Sequence, residues 1–153
     1  MIAITESHII HISNEEELHT KVINFLRKFY PEAIIVSGCI DQITDQLRIQ
    51  SRKRGYEAGQ PDILLLNRHP VCTGMAIELK SPTGKGKLSE KQKHFIERLE
   101  NNLWTCIVSN NYDYIIVKIV QYFHEIRCGK TSESLFTLSD TKTNSSRDSD
   151  DEE

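Results

Sequence analysis

Two short apolar runs constrain this chain more than any other part of it: one is opened by an aspartate, the other carries a glutamate and a lysine. Asp62 precedes Ile63-Leu64-Leu65-Leu66, a run bounded by Pro61 and Asn67. Met75-Ala76-Ile77-Glu78-Leu79-Lys80 alternates, with Met75, Ile77 and Leu79 on one face and Ala76, Glu78 and Lys80 on the other. Successive strand side chains point to opposite faces, so Glu78 and Lys80 share a face about 7 Å apart. Two carboxylates able to converge on a hard cation, with an ammonium beside them, suit metal-assisted phosphodiester cleavage. Charges alternating along a strand usually mark a solvated face, and Glu-Leu-Lys alone is a common tripeptide. The combination tips the balance. Pro61 fixes the approach to the strand, Gly55 and Gly59 surround the turn that delivers Asp62, and Lys80 leads into the basic loop Ser81-Pro82-Thr83-Gly84-Lys85-Gly86-Lys87.

The remaining elements follow from periodicity and caps. Ile9–Ile12 is compatible with a short strand or arm. A first helix starts near Ser13 or Asn14, because Ser13-x-x-Glu16 and Asn14-x-x-Glu17 both offer a capping box. Leu18, Val22, Phe25, Leu26 and Phe29 mark its apolar stripe, and Pro31 follows its end. Glu15 falls on that stripe one turn before Leu18; acids are favoured at helix starts in any case. Residues 33–36 read as a strand. Asp41–Arg54 reads as a helix with Ile43 and Leu47 inward, ended by Gly55 in the left-handed region. Residues 67–74 then join two antiparallel strands. His69 sits in that connection beside Pro70, where a lone histidine is usually not a ligand.

Ser89-x-x-Gln92 is another capping box, opening a helix with Phe95, Ile96, Leu99 and Leu103 inward. Residues 104–108 read as a further strand. Tyr112, Ile115, Ile116, Ile119, Tyr122, Phe123 and Ile126 then recur at helical spacing, although 114–120 is rich enough in β-branched residues to compete as a strand. Gly129 is expected to end that element. The order is helix, strand, helix, two hairpin strands, helix, strand, helix. It predicts an α/β fold with a mixed central sheet flanked by helices on both faces.

Gly-Gln-Pro-Asp at 59–62, Glu78-Leu79-Lys80-Ser81, Gly84-Lys85 and Gln92 resemble the VRR-NUC branch of the PD-(D/E)xK nucleases, and the resemblance runs from about Glu15 to Phe123. It implies a restriction-endonuclease-like core and a Mg²⁺-dependent nuclease, with Mn²⁺ as a substitute. Its substrate would be structured DNA, including junctions in the small stand-alone members. Asp62 and Glu78 would bind the metal directly, with the Leu79 carbonyl as a further oxygen. Glu15 is the residue the family pattern selects on the first helix, acting through water or a second metal. Lys80 would orient the attacking water and offset charge on the phosphate. Gln92, which has a complete structural explanation as a cap, would also point at the active centre.

Basic residues supply the DNA contacts. Lys85, Lys87, Lys91 and Lys93 would hold the backbone, a contact that positions DNA without reading its sequence. Arg52, Lys53 and Arg54 complement a helix C-terminus and also stand before the Asp62 turn, where a phosphate would pass.

Length and charge set the outer bounds. A chain of 153 residues fits one domain, expected over residues 1–130, with a disordered acidic tail over 131–153. From Asp140 onward there are six acids and two bases, so the net −3 of the chain leaves a body near +1. The tail either serves solubility or competes with DNA for the basic face. No apolar run spans a bilayer and no secretory signal is visible, and the four scattered cysteines form no CxxC pair. A soluble intracellular protein with reduced thiols, in nucleus or cytoplasm, is the simplest expectation. Two other classes stay open: a sequence-specific or nicking endonuclease of restriction type, and a non-catalytic DNA-binding relative. The first would need base-reading appendages that this chain has little length to supply. Retention of Asp62, Glu78 and Lys80 together argues against the second. A homodimer is expected if the substrate is a four-way junction, with Ile2, Ile4, Ile9, Ile10 and Ile12 as candidate contact surface; these residues equally suit covering a sheet edge or the first helix.

Overall fold

The computed structural model describes residues 12–38, 45–84 and 86–140. The element order is α1 (Glu15–Phe29), β1 (Ile35–Ser37), α2 (Asp45–Lys53), β2 (Ile63–Leu65), β3 (Met75–Leu79), α3 (Glu90–Glu100), β4 (Thr105–Ser109) and α4 (Tyr112–Asp140). This is the order that the sequence periodicity predicts. The strands form one mixed sheet in the order β1-β2-β3-β4, antiparallel between β1, β2 and β3 and parallel between β3 and β4.

Period-2 alternation sends Ile63, Leu65, Met75, Ile77, Leu79 and Ile107 to one face of the sheet. There they pack with Leu18, Val22 and Leu26 of α1 and with Ile115, Ile119, Tyr122, Phe123 and Ile126 of α4. α3 lies over the other face, where Ile96 is buried and its carbonyl faces the Cys106 thiol. Every residue of β3 is buried because helices cover both of its faces. Glu78 therefore lies inside the protein, on the α3 side.

Several boundaries differ from the sequence expectation. α1 is capped by Asn14, whose side chain accepts the Glu17 N–H; the Glu17 carboxylate reaches back to Ser13 and closes no box with Asn14. Phe29 is 52 % exposed, and Ile23 takes its place in the stripe. β1 begins at Ile35 and β4 at Thr105, each later than periodicity suggests. Leu103 is 70 % exposed with φ of 61°, because α3 has already ended at Glu100 and Leu103 turns the chain into β4. Gly55 does adopt positive φ (96°) after α2. Ile12 packs on the core, whereas 9–11, the first turns expected of the second helix (41–44), Lys85 and the tail from 141 lie outside the described residues.

Residues 114–120 are helical, and α4 runs through Gly129 to Asp140, so the expected stop at Gly129 is wrong. A Cβ at Gly129 would lie 3.1 Å from the Pro70 ring. Glycine there lets the helix pass close to the β2–β3 connection rather than ending it. His69, in that connection, is structural. Its Nδ1 accepts the Val71 and Cys72 N–H groups, its ring stacks on Tyr122, and its Nε2 lies 3.3 Å from Glu125. Cys72 and Cys106 are free thiols. Among the described residues no helix is long and apolar enough to cross a membrane.

Candidate active site

The β2–β3 register pairs Ile63 with Ile77, so the next residues outward along the two strands, Asp62 and Glu78, are brought side by side. The backbone locks the arrangement. The Leu79 N–H donates to Asp62 Oδ2 at 2.7 Å, and the Gly38 N–H donates to the Asp62 carbonyl at 2.9 Å. Asp62 is thus held from β1 on one side and β3 on the other.

Glu78 is 2 % exposed. Its Oε1 accepts the Lys80 ammonium at 2.8 Å and also takes the side-chain N–H of Gln92. Gln92 owes its orientation to the start of α3. Its Oε1 accepts the Ser89 N–H at 2.9 Å, the Ser89 hydroxyl at 3.1 Å and the Lys80 ammonium at 3.3 Å. The Ser89 N–H and the Lys80 ammonium can only donate, so Oε1 must face them and Nε2 must face Glu78. The capping box that starts the helix therefore also aims the amide into the site.

The electrostatics show an excess of negative charge. Burial pushes Glu78 up to about 7, and the Asp62 and Glu15 charges push the same way, against the hydrogen bond and charge of Lys80. Burial also raises Asp62, opposed by the Leu79 N–H, His19 and Lys80. Glu15, the first residue of α1, is raised by partial burial and then by Asp62, while Lys80 lowers it. Three carboxylates thus share the field of one ammonium. Glu78 Oε2 is buried and has no hydrogen-bond partner, a costly condition that a bound cation would relieve.

The donor set fits a hard divalent ion. It consists of the Asp62 and Glu78 carboxylates, with the Leu79 carbonyl following Glu78 on the same strand. Among the described residues no three His, Cys, Asp or Glu side chains are arranged to hold a metal ion by themselves. An ion here would keep positions for water or phosphate, as Mg²⁺ commonly does.

A cleft of about 400 Å³ opens beside these groups, lined by Glu15, Gly38, Tyr56, Ala58, Gly59, Gln60, Asp62, Ser89, Lys91 and Gln92. The structure therefore brings Glu15, Asp62, Glu78, Lys80 and Gln92 into one neighbourhood. Of the basic residues, Lys91 reaches the cleft wall, Lys93 is exposed and paired with Glu90 at 2.7 Å, and Lys87 is exposed. Arg52, Lys53 and Arg54 are exposed at the end of α2, on the segment that leads to Tyr56 and the cleft. Sequence reasoning missed Tyr56, Ser37 and His19. The signal for His19 was present: it lies four residues after Glu15 and so on the same helix face.

Comparisons with known proteins agree with this fold. A solved VRR_NUC domain protein is similar in structure, with a TM-score of 0.61 at 22% sequence identity, covering 76% of this chain and 93% of that chain. Its fold is that of this mixed sheet with flanking helices. No curated protein matches the chain. The family model of the VRR-NUC domain matches residues 9–118, which span α1 to the start of α4 and contain every residue of the site. The chain belongs to the VRR-NUC domain family.

Proposed function

We propose that this nuclease domain is a divalent-metal-dependent endonuclease that hydrolyses phosphodiester bonds in branched DNA, in the manner of a Holliday-junction resolvase. The observation that carries the reading is Glu78: a buried carboxylate with one oxygen unpartnered, beside Asp62 and tied to Lys80 and Gln92. A solvated strand face would leave Glu78 in water, and a purely structural ion pair would satisfy both of its oxygens.

Asp62 and Glu78 would hold Mg²⁺ or Mn²⁺, with the Leu79 carbonyl as a third oxygen and Glu15 acting through water. Bound there, the ion supplies Lewis acidity toward the scissile phosphate and lowers the pKa of water. The chain's own groups do the rest. The Lys80 ammonium is aimed by Glu78 Oε1 and offsets negative charge on the phosphate. Gln92, fixed by Ser89, positions water or the neighbouring phosphate. Lys91 at the cleft wall, with Lys85, Lys87, Lys93 and Arg52-Lys53-Arg54, holds the DNA backbone by charge and reads no sequence.

The test is cleavage of a branched DNA and a matched linear duplex, with and without Mg²⁺. Cutting is expected only with metal and mainly on the branched substrate. Asp62→Asn and Glu78→Gln should each abolish it while DNA binding is largely kept. A variant that cuts at near wild-type rate would show that the site is assigned to the wrong residues.

A further inference from the structure

His19 and Ser37 lie against Asp62 and take no part in the chemistry above. His19 is one turn beyond Glu15 on α1. Its Nε2 is 3.0 Å from Ser37 Oγ, at the end of β1, and Ser37 Oγ is 3.4 Å from the Asp62 carbonyl. A serine hydroxyl has one hydrogen to give. Given to the Asp62 carbonyl, it leaves Ser37 Oγ as the acceptor, and His19 Nε2 then supplies the proton of the other bond.

These contacts occur where they matter mechanically. Ser37 and Ile63 are the last residues paired between β1 and β2, so Asp62 stands just past the end of that ladder. Beyond the ladder, its backbone is held toward β1 by the Gly38 N–H and by Ser37. The bridge from α1 through Ser37 ties the helix that carries Glu15 to the backbone that carries Asp62.

We propose that His19 is a positioning residue which, through Ser37, fixes the Asp62 backbone and hence the direction in which its carboxylate meets a divalent cation. The inference rests on the metal-dependent reading above. Residues that orient metal-binding side chains typically change metal affinity by about 10–100-fold when removed.

The experiment is calorimetric titration of metal-free protein with Mn²⁺, alongside kcat and KM on branched DNA and a thermal melt for each variant. His19→Ala and Ser37→Ala should each weaken Mn²⁺ binding by roughly tenfold and lower kcat, with KM for DNA unchanged. His19→Gln, whose amide nitrogen can take the place of Nε2, should recover most of the affinity. The double variant should be no weaker than the weaker single, because both changes remove one bridge. If wild-type Mn²⁺ binding is absent or survives Asp62→Asn, the metal-dependent reading falls and the proposal with it. If binding depends on Asp62 but His19→Ala matches wild type, the proposal alone is overturned. Full additivity of the two alanine variants, or no recovery in His19→Gln, overturns it as well.

Discussion

Glu78 is the residue held furthest from its ordinary state, and its titration links stability to the site. In the unfolded chain its pKa would be 4.5; in the folded, metal-free protein it is about 7. Across that window the folded state binds a proton that the unfolded chain has released. The contribution to stability is therefore fully present below pH 4.5 and is lost as pH rises through about 7. Asp62 and Glu15 are raised too and act in the same direction. The melting temperature of metal-free protein should fall across this window, and Glu78→Gln, which cannot ionise, should flatten much of the decline. A wild-type curve that rises with pH in this range would contradict the assignment. Much of the site was legible at this scale. Strand alternation placed Glu78 and Lys80 on one face, and the capping box placed Gln92 at the start of α3. The carboxylate pairing could also be read, because a short connection makes the two strands antiparallel neighbours. For His19 the sequence showed only a helix face shared with Glu15; its link to Asp62 was not legible, since it exists only once β1 delivers Ser37 to the Asp62 carbonyl.

The elements act through their ends. α3 begins with a cap that also orients Gln92, and the turn after α2 must deliver Asp62 against that same helix start. Gly59 makes the fit possible. Its φ is 97°, and a Cβ there would lie 2.5 Å from the Lys91 carbonyl carbon and oxygen and 2.8 Å from the Gln92 nitrogen. Gly55 offers an internal control, with a similar φ of 96° but nothing within 4 Å of an added Cβ. Gly55→Ala should cost only the left-handed backbone term, about 1–2 kcal/mol. Gly59→Ala carries that cost and a clash with helix backbone, so residues 55–60 must lift from α3 and carry the Asp62 turn with them. Gly59→Ala should therefore lower stability more than Gly55→Ala and lose cleavage out of proportion to the stability change. Equal effects in melts and in cleavage would refute this packing argument. The same logic explains which boundaries the sequence concealed. Gly129 has the sequence character of a helix stop, yet here it is a clearance against Pro70, and only the tertiary approach of the β2–β3 connection distinguishes the two. Leu103 has the spacing of an inward residue, but its helix has already ended.

At the scale of the whole molecule, charge and assembly decide what the site meets. The body is near neutral overall, so DNA affinity must come from placement of charge: Lys91 at the cleft and Arg52-Lys53-Arg54 on the approach to it. Affinity should fall steeply with salt, since each phosphate contact releases counterions, and changing those three approach residues to alanine should reduce the slope by up to about 3. A flat response would refute the electrostatic account. Deleting 141–153, which spares α4 through Asp140, should leave cleavage unchanged or slightly faster. Assembly follows from the number of sites. One chain offers one constellation of Asp62, Glu78 and Lys80, whereas resolving a four-way junction takes two symmetric nicks. A two-fold dimer would present two sites at fixed spacing. Ile12 cannot serve freely in its contact surface, because it packs on the core, while Ile2, Ile4, Ile9 and Ile10 lie outside the described residues. Exposed Tyr114, Val117 and Val120 recur along the outer side of α4 at spacings of three, a second apolar surface that such a dimer would have available. Sedimentation at micromolar concentration should show a dimer, and a junction complex should contain two chains. A monomer both free and on the junction would rule out paired nicking and leave a nuclease that makes a single cut beside a flap or branch.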